Sequence, residues 1–299
     1  MKILITGAAG TLGLPLLNAL SQKGHEVIGC DLAHSSDERI VRCDVRHFHR
    51  LKELFDKHQP EIVMHFAAEF GRLNGQQYWE DLWTTNCIGT RNVIECCKTH
   101  NSFLVFASSS EAYGTLSGSG TLYEALLNCA MPWFYNEYAL SKLTNEKQIQ
   151  LSGVRHLILR IFNVYGPGEH YTPYRSVISR FLNAALLNKE LLAWKGERTY
   201  LYIDDFIQAI VQIPSSLHYL NKKIINCADD ESIENHSLAG LCASVVGSGT
   251  VDTLPSQETG NVYRKEPDIA HFKDILRYRK TVTLEEGLHR TAEWMRMYD

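Results

Sequence analysis

Tyr138 and Lys142 are four residues apart in the segment 135–142, YNEYALSK. If this segment is helical, the two side chains share a face, since residues i and i+4 are neighbours on a helix. A lysine ammonium beside a phenol stabilises the phenolate and lowers the pKa of the phenol from about 10. Such a tyrosine can take the proton of a hydroxyl group while a hydride leaves the same carbon for a nicotinamide ring. An ordinary Tyr/Lys pair on a helix surface is the alternative, and the spacing alone favours that alternative.

A second polar group, Ser109, Ser110 and Glu111, lies at the end of the apolar run 103–109, FLVFASS. The serine hydroxyls could hydrogen-bond a hydroxyl group of a substrate, and the Glu111 carboxyl could act as a general acid or base. If the run is a strand of a parallel sheet, these residues follow its carboxyl end, where such sheets bind ligands. A polar turn without chemistry is the alternative.

Three glycines, Gly7, Gly10 and Gly13, have the spacing G-x-x-G-x-x-G directly after the apolar run KILIT. Between a strand and a helix, such glycines permit a tight turn, close approach of the backbone to a pyrophosphate and close helix packing. The helix N-terminus then offers N–H donors to the phosphates. Asp31 ends the next apolar run, and its carboxylate can accept hydrogen bonds from ribose hydroxyls while repelling a 2′-phosphate. The sequence therefore predicts a dinucleotide site for NAD rather than NADP.

The elements that must hold these residues are predicted from the apolar pattern. Strands are predicted at 2–7, 25–31, 39–45, 61–68, 103–109, 156–166 and 223–229. Helices are predicted at 11–23, near 47–58, at 80–100, 137–151 and 175–189, from 204 or 205 to 213, and late in 281–298. Strands joined by helical crossovers indicate an α/β fold, a Rossmann-type doubly wound parallel sheet. We expect the NAD-binding domain at 1–165, with 201–229 returning to it, and a smaller, interleaved substrate lobe formed mainly by 166–299.

Composition excludes several function classes. The 299 residues carry a net charge of −4, so no basic excess indicates nucleic-acid binding. No apolar stretch approaches the roughly 20 residues of a membrane span. The 8 cysteines show no zinc-type spacing, so we expect no metal site and reduced core thiols. Reduced thiols and an N-terminus without a basic-then-apolar leader favour the cytoplasm.

Several short motifs in their order along the chain resemble the extended short-chain dehydrogenase/reductases, specifically the nucleotide-sugar epimerases and dehydratases. The resemblance covers essentially the whole chain. Its motifs are TGAAGTLG (6–13), CDV (43–45), HFAA (65–68), TNCIGTRNVIE (85–95), SSSEAYG (108–114), YALSK (138–142), RIFNVYGPG (160–168), YIDD (202–205) and RKEPDI (264–269).

The resemblance implies a role for particular residues. Tyr138 would be the catalytic base, and Lys142 would assist it and hold the nicotinamide ribose. Ser109 would bind the reacting hydroxyl, with Ser110 beside it. The cofactor groove would be lined by Gly7, Gly10, Thr11, Leu12, Gly13, Asp31, Asp44, Val45, Phe66, Ala67, Ala68 and Lys142, with Asp44 and Val45 at the adenine. Asn163, Arg198 and Arg264 would face the sugar diphosphate, although arginines paired with surface acids are an alternative.

The resemblance leaves the reaction open after a first step that all branches share, oxidation of the sugar at carbon 4. We expect a dehydratase in which Glu111 removes the proton at carbon 5. Many dehydratases have an aspartate where this chain has Ser110, and some mannose-nucleotide dehydratases and the glucuronate-nucleotide decarboxylases show a similar Ser-Glu pair. A 4-epimerase is the second hypothesis, a uronate decarboxylase the third, and an NAD(P)H-dependent reductase or a non-catalytic NAD sensor are further alternatives. By analogy, helices 80–100 and 137–151 would form a homodimer interface.

Overall fold

The computed structural model describes residues 1–118, 120–257 and 262–298. These residues form two compact units. The first consists of 1–112, 136–160 and 207–225, and the second of 113–135, 161–206 and 226–299. The division into an NAD-binding domain at 1–165, with 201–229, and a substrate lobe formed mainly by 166–299 stays a prediction.

The strands alternate with helices through most of the chain. The strands are β1 (Lys2–Thr6), β2 (Glu26–Asp31), β3 (Ile40–Arg42), β4 (Ile62–His65), β5 (Phe103–Ser109), β6 (Thr121–Leu122), β7 (His156–Ile161), β8 (Asn163–Tyr165), β9 (Glu190–Lys195), β10 (Glu197–Tyr202), β11 (Lys223–Cys227), β12 (Ser232–Glu234), β13 (Thr250–Gln257) and β14 (Glu266–Pro267).

The α-helices are α1 (Gly13–Gln22), α2 (Phe48–His58), α3 (Arg72–Gln77), α4 (Trp79–Trp83), α5 (Thr90–His100), α6 (Leu126–Cys129), α7 (Glu137–Ser152), α8 (Val177–Leu186), α9 (Ile203–Ile210), α10 (Leu217–Leu220), α11 (Asn235–Val246), α12 (Ala270–Ile275) and α13 (Leu284–Tyr298). A π-helix spans Thr84–Gly89, and 3₁₀ segments span Ser110–Gly118 and Ile213–Ser215. None of the helices in the described ranges is long and apolar enough to cross a membrane.

The main sheet has seven strands in the order β11-β7-β5-β4-β1-β2-β3. β1 pairs in parallel with β2 and with β4, β2 pairs in parallel with β3, and β4 with β5. Reading inward from β3, the order 3-2-1 followed by 4 and 5 is the order of a doubly wound nucleotide-binding sheet. The predicted Rossmann-type fold is therefore confirmed.

The central strands are buried on both faces. Every residue of β4 and of β5 is buried, as expected for parallel strands covered by helices on each side. Leu16, Leu17 and Leu20 bury one face of α1, which is the helical spacing predicted for this segment. The carboxyl ends of β1, β4 and β5 are thus set in a rigid frame, and the candidate site residues follow them directly.

The second unit contains three smaller sheets. They are ordered β12-β10-β8, β13-β9 and β14-β6. The predicted strand 156–166 is in fact two strands, because β7 joins the main sheet whereas β8 pairs in parallel with β10. The run HLILRIFNVYG is mostly apolar, with polar residues only at 156, 160 and 163, so its pattern carries no clear sign of the change of sheet at Phe162.

Candidate active site

The glycine-rich turn packs tightly against the two strands that flank β1. The N–H groups of Gly7 and Ala8 donate to the carbonyl oxygen of Cys30 at 2.9 and 3.1 Å. Gly7 has a φ of +73°, and a Cβ there would lie 2.6 Å from the Ala67 nitrogen. A Cβ at Gly13 would lie 2.1 Å from the Gly7 oxygen. Both positions therefore require glycine for the turn itself.

Gly10 differs from the other two glycines. A Cβ at Gly10 would meet the Gly7 oxygen at 3.3 Å, and no other contact within 4 Å is found for it in the described residues. Space beside Gly10 is what a pyrophosphate approaching the start of α1 needs. Thr11 and Leu12, which precede α1, are partly exposed. This cradle fits a bound dinucleotide.

Asp31 ends β2 with its carboxylate turned to the glycine-rich turn. One carboxylate oxygen accepts from the Ala9 N–H at 2.9 Å, and the other accepts from the Ala33 N–H at 2.9 Å. A carboxylate offers about four acceptor positions, so these two bonds fix its orientation and leave acceptor capacity for ribose hydroxyls. The geometry fits the predicted role of Asp31 toward NAD.

Asp44 and Val45, expected at the adenine, lie in different surroundings. The Asp44 carboxylate accepts from Nε of Arg46 at 2.9 and 3.1 Å. Burial would raise the pKa of Asp44, but the hydrogen bonds from Arg46 outweigh it and the pKa lies below its usual value. The Val45 side chain is buried, while its carbonyl oxygen accepts from the Asn92 amide at 2.9 Å. An adenine contact therefore remains a prediction for both residues.

The second wall of the groove follows β4, where Phe66, Ala67 and Ala68 are partly exposed. Beneath it lies His65, which the sequence analysis did not single out. Its Nδ1 is 2.6 Å from the Thr6 hydroxyl, and its Nε2 is 3.0 Å from the Thr90 hydroxyl. Burial, together with the positive charge of Lys142, lowers the pKa of His65 to about 3. A neutral imidazole thus joins β1, β4 and α5 under the groove.

Ser109, Glu111 and Tyr138 come together beyond the carboxyl end of β5. Ser109 is a hydrogen-bonding neighbour that lowers the pKa of Tyr138, and the Glu111 N–H donates to the Ser109 hydroxyl at 3.2 Å. Ser110 is buried beside them, whereas Glu111 and Tyr138 are partly exposed. A hydroxyl, a phenol and a carboxylate are thus available for proton transfer at one place.

The pKa of Tyr138 is shifted in the direction opposite to the expected one. Burial raises the pKa of Tyr138 to about 12, the hydrogen bond with Ser109 lowers it in part, and the negative charge of Glu111 raises it. The phenol is therefore protonated at neutral pH in this structure. The sequence pattern identified the charge of Lys142 but could not weigh it against desolvation.

Lys142 lies beside Tyr138 but directs its ammonium elsewhere. Its Nζ donates to the carbonyl oxygen of Ala107 at 2.8 Å and is 5.6 Å from the centre of the Tyr138 ring. Burial lowers the pKa of Lys142 to about 8, against smaller raising effects of Cys87 and Glu146. The predicted i, i+4 geometry is present, and the ammonium has a second partner on β5.

Asn86 is a second residue that sequence reasoning missed. It lies buried in the π-helix, where its Oδ1 accepts from the Glu69 N–H at 2.8 Å. Its Nδ2 donates to the Glu69 oxygen at 3.0 Å and to the Ser141 hydroxyl at 3.1 Å. Ser141 in turn donates to the carbonyl oxygen of Tyr138 at 2.8 Å. Asn86 thus ties the segment after β4 to α7, and a π-bulge at such a place is typical of functional sites.

The residues predicted to face the sugar diphosphate lie in the second unit. The Asn163 amide donates to the carbonyl oxygen of Thr199 at 2.9 Å. The Arg198 guanidinium donates to the carbonyl oxygens of Tyr263 and Val262 at 2.8 and 2.6 Å. Arg198 therefore fixes the backbone that leads to the RKEPDI motif.

Arg264 is half-exposed and lies next to the backbone that Arg198 holds. Its Nε is 2.8 Å from a carboxylate oxygen of Glu266 and 3.6 Å from one of Glu197. The structure thus brings Arg198 and Arg264 close together in the second unit, each with protein partners. Phosphate binding by either arginine remains a prediction.

Comparison with known proteins supports the same interpretation. The chain is 28% identical over 320 residues to the UDP-N-acetyl-α-D-glucosaminuronate decarboxylase of Bacillus cytotoxicus, covering 99% of this chain and 98% of that protein. It is 28% identical over 310 residues to UDP-glucuronic acid decarboxylase 1 of Xenopus tropicalis, covering 99% of this chain and 72% of that protein.

The fold is also that of solved relatives. The crystal structure of UDP-glucuronic acid 4-epimerase from Bacillus cereus, in complex with UDP-glucuronic acid and NAD, matches with a TM-score of 0.88 and 26% identity over 99% of both chains. Residues 3–228 match the model of the NAD dependent epimerase/dehydratase family. The chain therefore belongs to the NAD dependent epimerase/dehydratase family, and the predicted cofactor, NAD, is confirmed with it.

Proposed function

We propose that the chain is an NAD-dependent decarboxylase of a nucleotide hexuronate, acting through a ketone at carbon 4 of the sugar. The observation that carries the proposal is the group formed by Ser109, Glu111 and Tyr138 beyond β5. The decarboxylase relatives, similar over 99% of this chain, support a uronate as the substrate. Bound NAD supplies the hydride acceptor for carbon 4 and returns the hydride at the end.

The residues of the chain would supply the proton transfers. In its phenolate form, which is the minor form at neutral pH, Tyr138 takes the proton of the carbon-4 hydroxyl, and Ser109, a hydrogen-bonding neighbour of Tyr138, holds the same oxygen. The sugar carboxylate is then β to a carbonyl, so breaking the bond between carbons 5 and 6 releases carbon dioxide and leaves its electron pair in an enolate. Ser109 and the Tyr138 phenol stabilise that enolate oxygen. A proton delivered on the Glu111 side of the site then completes carbon 5.

Ser110 favours decarboxylation over the elimination predicted from the sequence. Elimination needs a base for the proton at carbon 5 and an acid for the departing hydroxyl group. Glu111 can serve as one of them, but the neighbouring position is a buried serine, whose hydroxyl is a poor acid. Decarboxylation needs neither removal of a proton from carbon 5 nor protonation of a leaving hydroxyl.

A dehydratase is the second candidate, and one observation favours it. The Glu111 carboxylate is close enough to Tyr138 to raise the pKa of the phenol, so it is near the reacting carbons, as a base for carbon 5 must be. The 4-epimerase hypothesis also stays open, since the solved relative named above is one.

The test is mass spectrometry on a panel of nucleotide sugars and nucleotide uronates incubated with the protein and NAD. We expect loss of carbon dioxide from a uronate. Loss of water from a neutral sugar would favour the dehydratase, and an unchanged mass with an altered sugar would favour the epimerase. In a parallel incubation with NADH in place of NAD, net consumption of NADH would favour a reductase. Tyr138→Phe should abolish turnover and leave NAD bound, and turnover that survives would remove Tyr138 as the base.

A homodimer is proposed as the assembly. Ile88 in the π-helix and Leu140 and Leu151 in α7 are exposed, with 55%, 40% and 87% of their surface accessible. Such apolar residues on adjacent helices suit a self-complementary interface, and light scattering on the purified protein measures the mass directly. A cytoplasmic location stays a prediction from the cysteine usage.

A further inference from the structure

A buried ion pair lies directly behind the candidate active site. Glu146 of α7 and Arg160 of β7 have 0% and 1% of their side-chain surface exposed. Nε of Arg160 donates to Oε1 of Glu146 at 3.0 Å, and Nη2 donates to Oε2 at 2.8 Å. The hydroxyl of Ser108, in β5, donates to Oε1 at 2.5 Å. Three elements of the first unit therefore meet at one carboxylate.

The same carboxylate adjoins both parts of the catalytic machinery. Ser108 immediately precedes Ser109, and Glu146 is one helical turn beyond Lys142. Lys142 donates to the carbonyl oxygen of Ala107. Two consecutive residues of β5, Ala107 and Ser108, are thus held by two charged side chains of α7.

Stability alone does not explain such a group. Replacing a buried ion pair by packed apolar residues is often neutral or stabilising, because desolvation of the two charges offsets their attraction. A bidentate arginine–carboxylate pair does, however, fix the direction of the carboxylate far better than apolar packing. The fixed carboxylate of Glu146 in turn fixes the position of Ser108, which donates a hydrogen bond to it.

We propose that the Glu146–Arg160 pair is a positioning element of the active site: it anchors Ser108 and so fixes Ser109 against Tyr138. The proposal rests on the proposed function in taking Ser109 and Tyr138 as the pair that contacts the reacting hydroxyl. Neither Glu146 nor Arg160 takes part in proton transfer.

The ion pair also contributes to the charge around Lys142. Among the described residues, the ammonium lies over the Tyr138 ring, and Lys142 interacts electrostatically with Glu146 from its own helix, Cys87 from the π-helix and His65 from β4. Burial lowers the pKa of Lys142, and Cys87 and Glu146 raise it. Glu146→Gln would remove that negative charge and leave the positive charge of Arg160 in place, so Lys142 should lose its proton at lower pH.

Alanine substitutions of two serines at opposite ends of β5, Ser108 and Ser102, test the anchoring role. Ser102 precedes β5 at its other end, is buried, and donates to the carbonyl oxygen of Pro60 at 2.6 Å. Ser108→Ala and Ser102→Ala each remove one buried hydrogen bond, so they should lower Tm similarly. We expect kcat to fall about tenfold or more in Ser108→Ala with KM nearly unchanged, since misplacement of a reacting group is costly. Equal kcat values in the two variants would overturn the proposal.

The charge role is tested by Glu146→Gln and by the double variant Glu146→Gln/Arg160→Met in the NAD-loaded protein. The alkaline limb of kcat/KM should move to lower pH by about half a pH unit or more in Glu146→Gln and return in the double variant. An unmoved limb in Glu146→Gln, or one that does not return, would count against the electrostatic role.

A measurement without substrate separates this proposal from the proposed function. The side-chain nitrogen of Lys142 can be titrated by NMR in protein labelled with ¹⁵N-lysine, its signal identified by its loss in Lys142→Met. The titration should move to lower pH in Glu146→Gln even if no nucleotide sugar is turned over. If the titration does not move, the electrostatic role of the Glu146–Arg160 pair is refuted, whatever the substrate proves to be.

Discussion

Replacing Lys142 by methionine should stabilise the fold at neutral pH while abolishing activity. Lys142 is 4% exposed, and burial lowers its pKa from 10.5 to about 8. One pKa unit corresponds to about 1.4 kcal/mol, so holding the ammonium in the folded protein costs about 3 kcal/mol of unfolding free energy. Methionine fills a similar volume without that cost, but it forfeits the hydrogen bond to Ala107, worth about 1 kcal/mol. The expected net gain at neutral pH is about 2 kcal/mol.

The pH dependence of this gain follows from the direction of the shift. Below pH 8 the lysine is protonated in both the folded and the unfolded chain, so the full cost is present. Between pH 8 and 10.5 the unfolded chain keeps a proton that the folded protein has lost, and wild-type stability therefore rises with pH. The advantage of Lys142→Met should shrink across this window and reverse near its upper end, when only the lost hydrogen bond remains.

Urea unfolding from neutral to alkaline pH measures both effects. Lys147→Met is the matched control, because Lys147 lies on the same helix, is partly exposed and donates to the Gln150 side chain at 3.3 Å. The difference between wild type and Lys147→Met measures what the loss of a partly exposed lysine from the same helix does over the same pH range. A difference between wild type and Lys142→Met that is independent of pH would refute the reasoning, as would a variant less stable than wild type at neutral pH.

Two further predictions concern the cofactor groove. Gly10→Ala should fold normally, since its Cβ meets only the Gly7 oxygen at 3.3 Å in the described structure. It should weaken NAD binding about tenfold or more, because the pyrophosphate must approach there. Gly240→Ala, in an open helical position, is the control, and an NAD affinity of Gly10→Ala that is unchanged by calorimetry would contradict the assignment. His65→Phe should lose about 2–4 kcal/mol of unfolding free energy, because it removes the hydrogen bonds of the imidazole with the Thr6 and Thr90 hydroxyls. The folded pKa of His65, about 3, lies below the unfolded value, so this loss should be full above about pH 6.5 and diminish as the pH falls.

The sheet and the glycine-rich turn were predictable because each follows from local pattern. The predicted strand 103–109 and the observed β5 have the same bounds, and the first helix, predicted at 11–23, is observed at Gly13–Gln22. Continuous apolar runs of strand length, separated by amphipathic helices, have few alternatives to a parallel sheet. The position of Asp31 at the end of β2 followed from the same regularity.

The interruption of the helix predicted at 80–100 was not predictable from periodicity. The segment predicted as one helix consists of α4, the π-helix and α5. The π-helix contains Asn86, whose side-chain amide binds the backbone of Glu69. The bulge therefore coincides with a contact 17 residues away in sequence. Hydrophobic periodicity records which face of a helix is buried and carries no information about such a bond.

The pKa of Tyr138 is raised, whereas the charge pattern of the sequence predicts that it is lowered. The i, i+4 spacing identifies a neighbouring cation, and that cation lies 5.6 Å from the ring centre. The ammonium is bonded to Ala107 on β5, however, and desolvation raises the pKa of the phenol more than any nearby group changes it. A sequence lists the charges near a group, whereas the depth of burial decides how much each charge counts.

The helix α7 carries two ionisable groups, Lys142 and Tyr138, whose charged forms are costly to bury. Burial shifts both groups toward their neutral forms, with a pKa of about 8 for Lys142 and of about 12 for Tyr138. The resting site therefore holds a weakly retained ammonium proton beside a protonated phenol. The pKa of the phenol lies about four units above that of the ammonium, so moving a proton from Tyr138 to Lys142 costs more in the resting site than it would in water. The fully buried strands β4 and β5 supply the apolar burial that offsets this cost. Substitutions that relieve it, such as Lys142→Met, should therefore raise stability and remove function together.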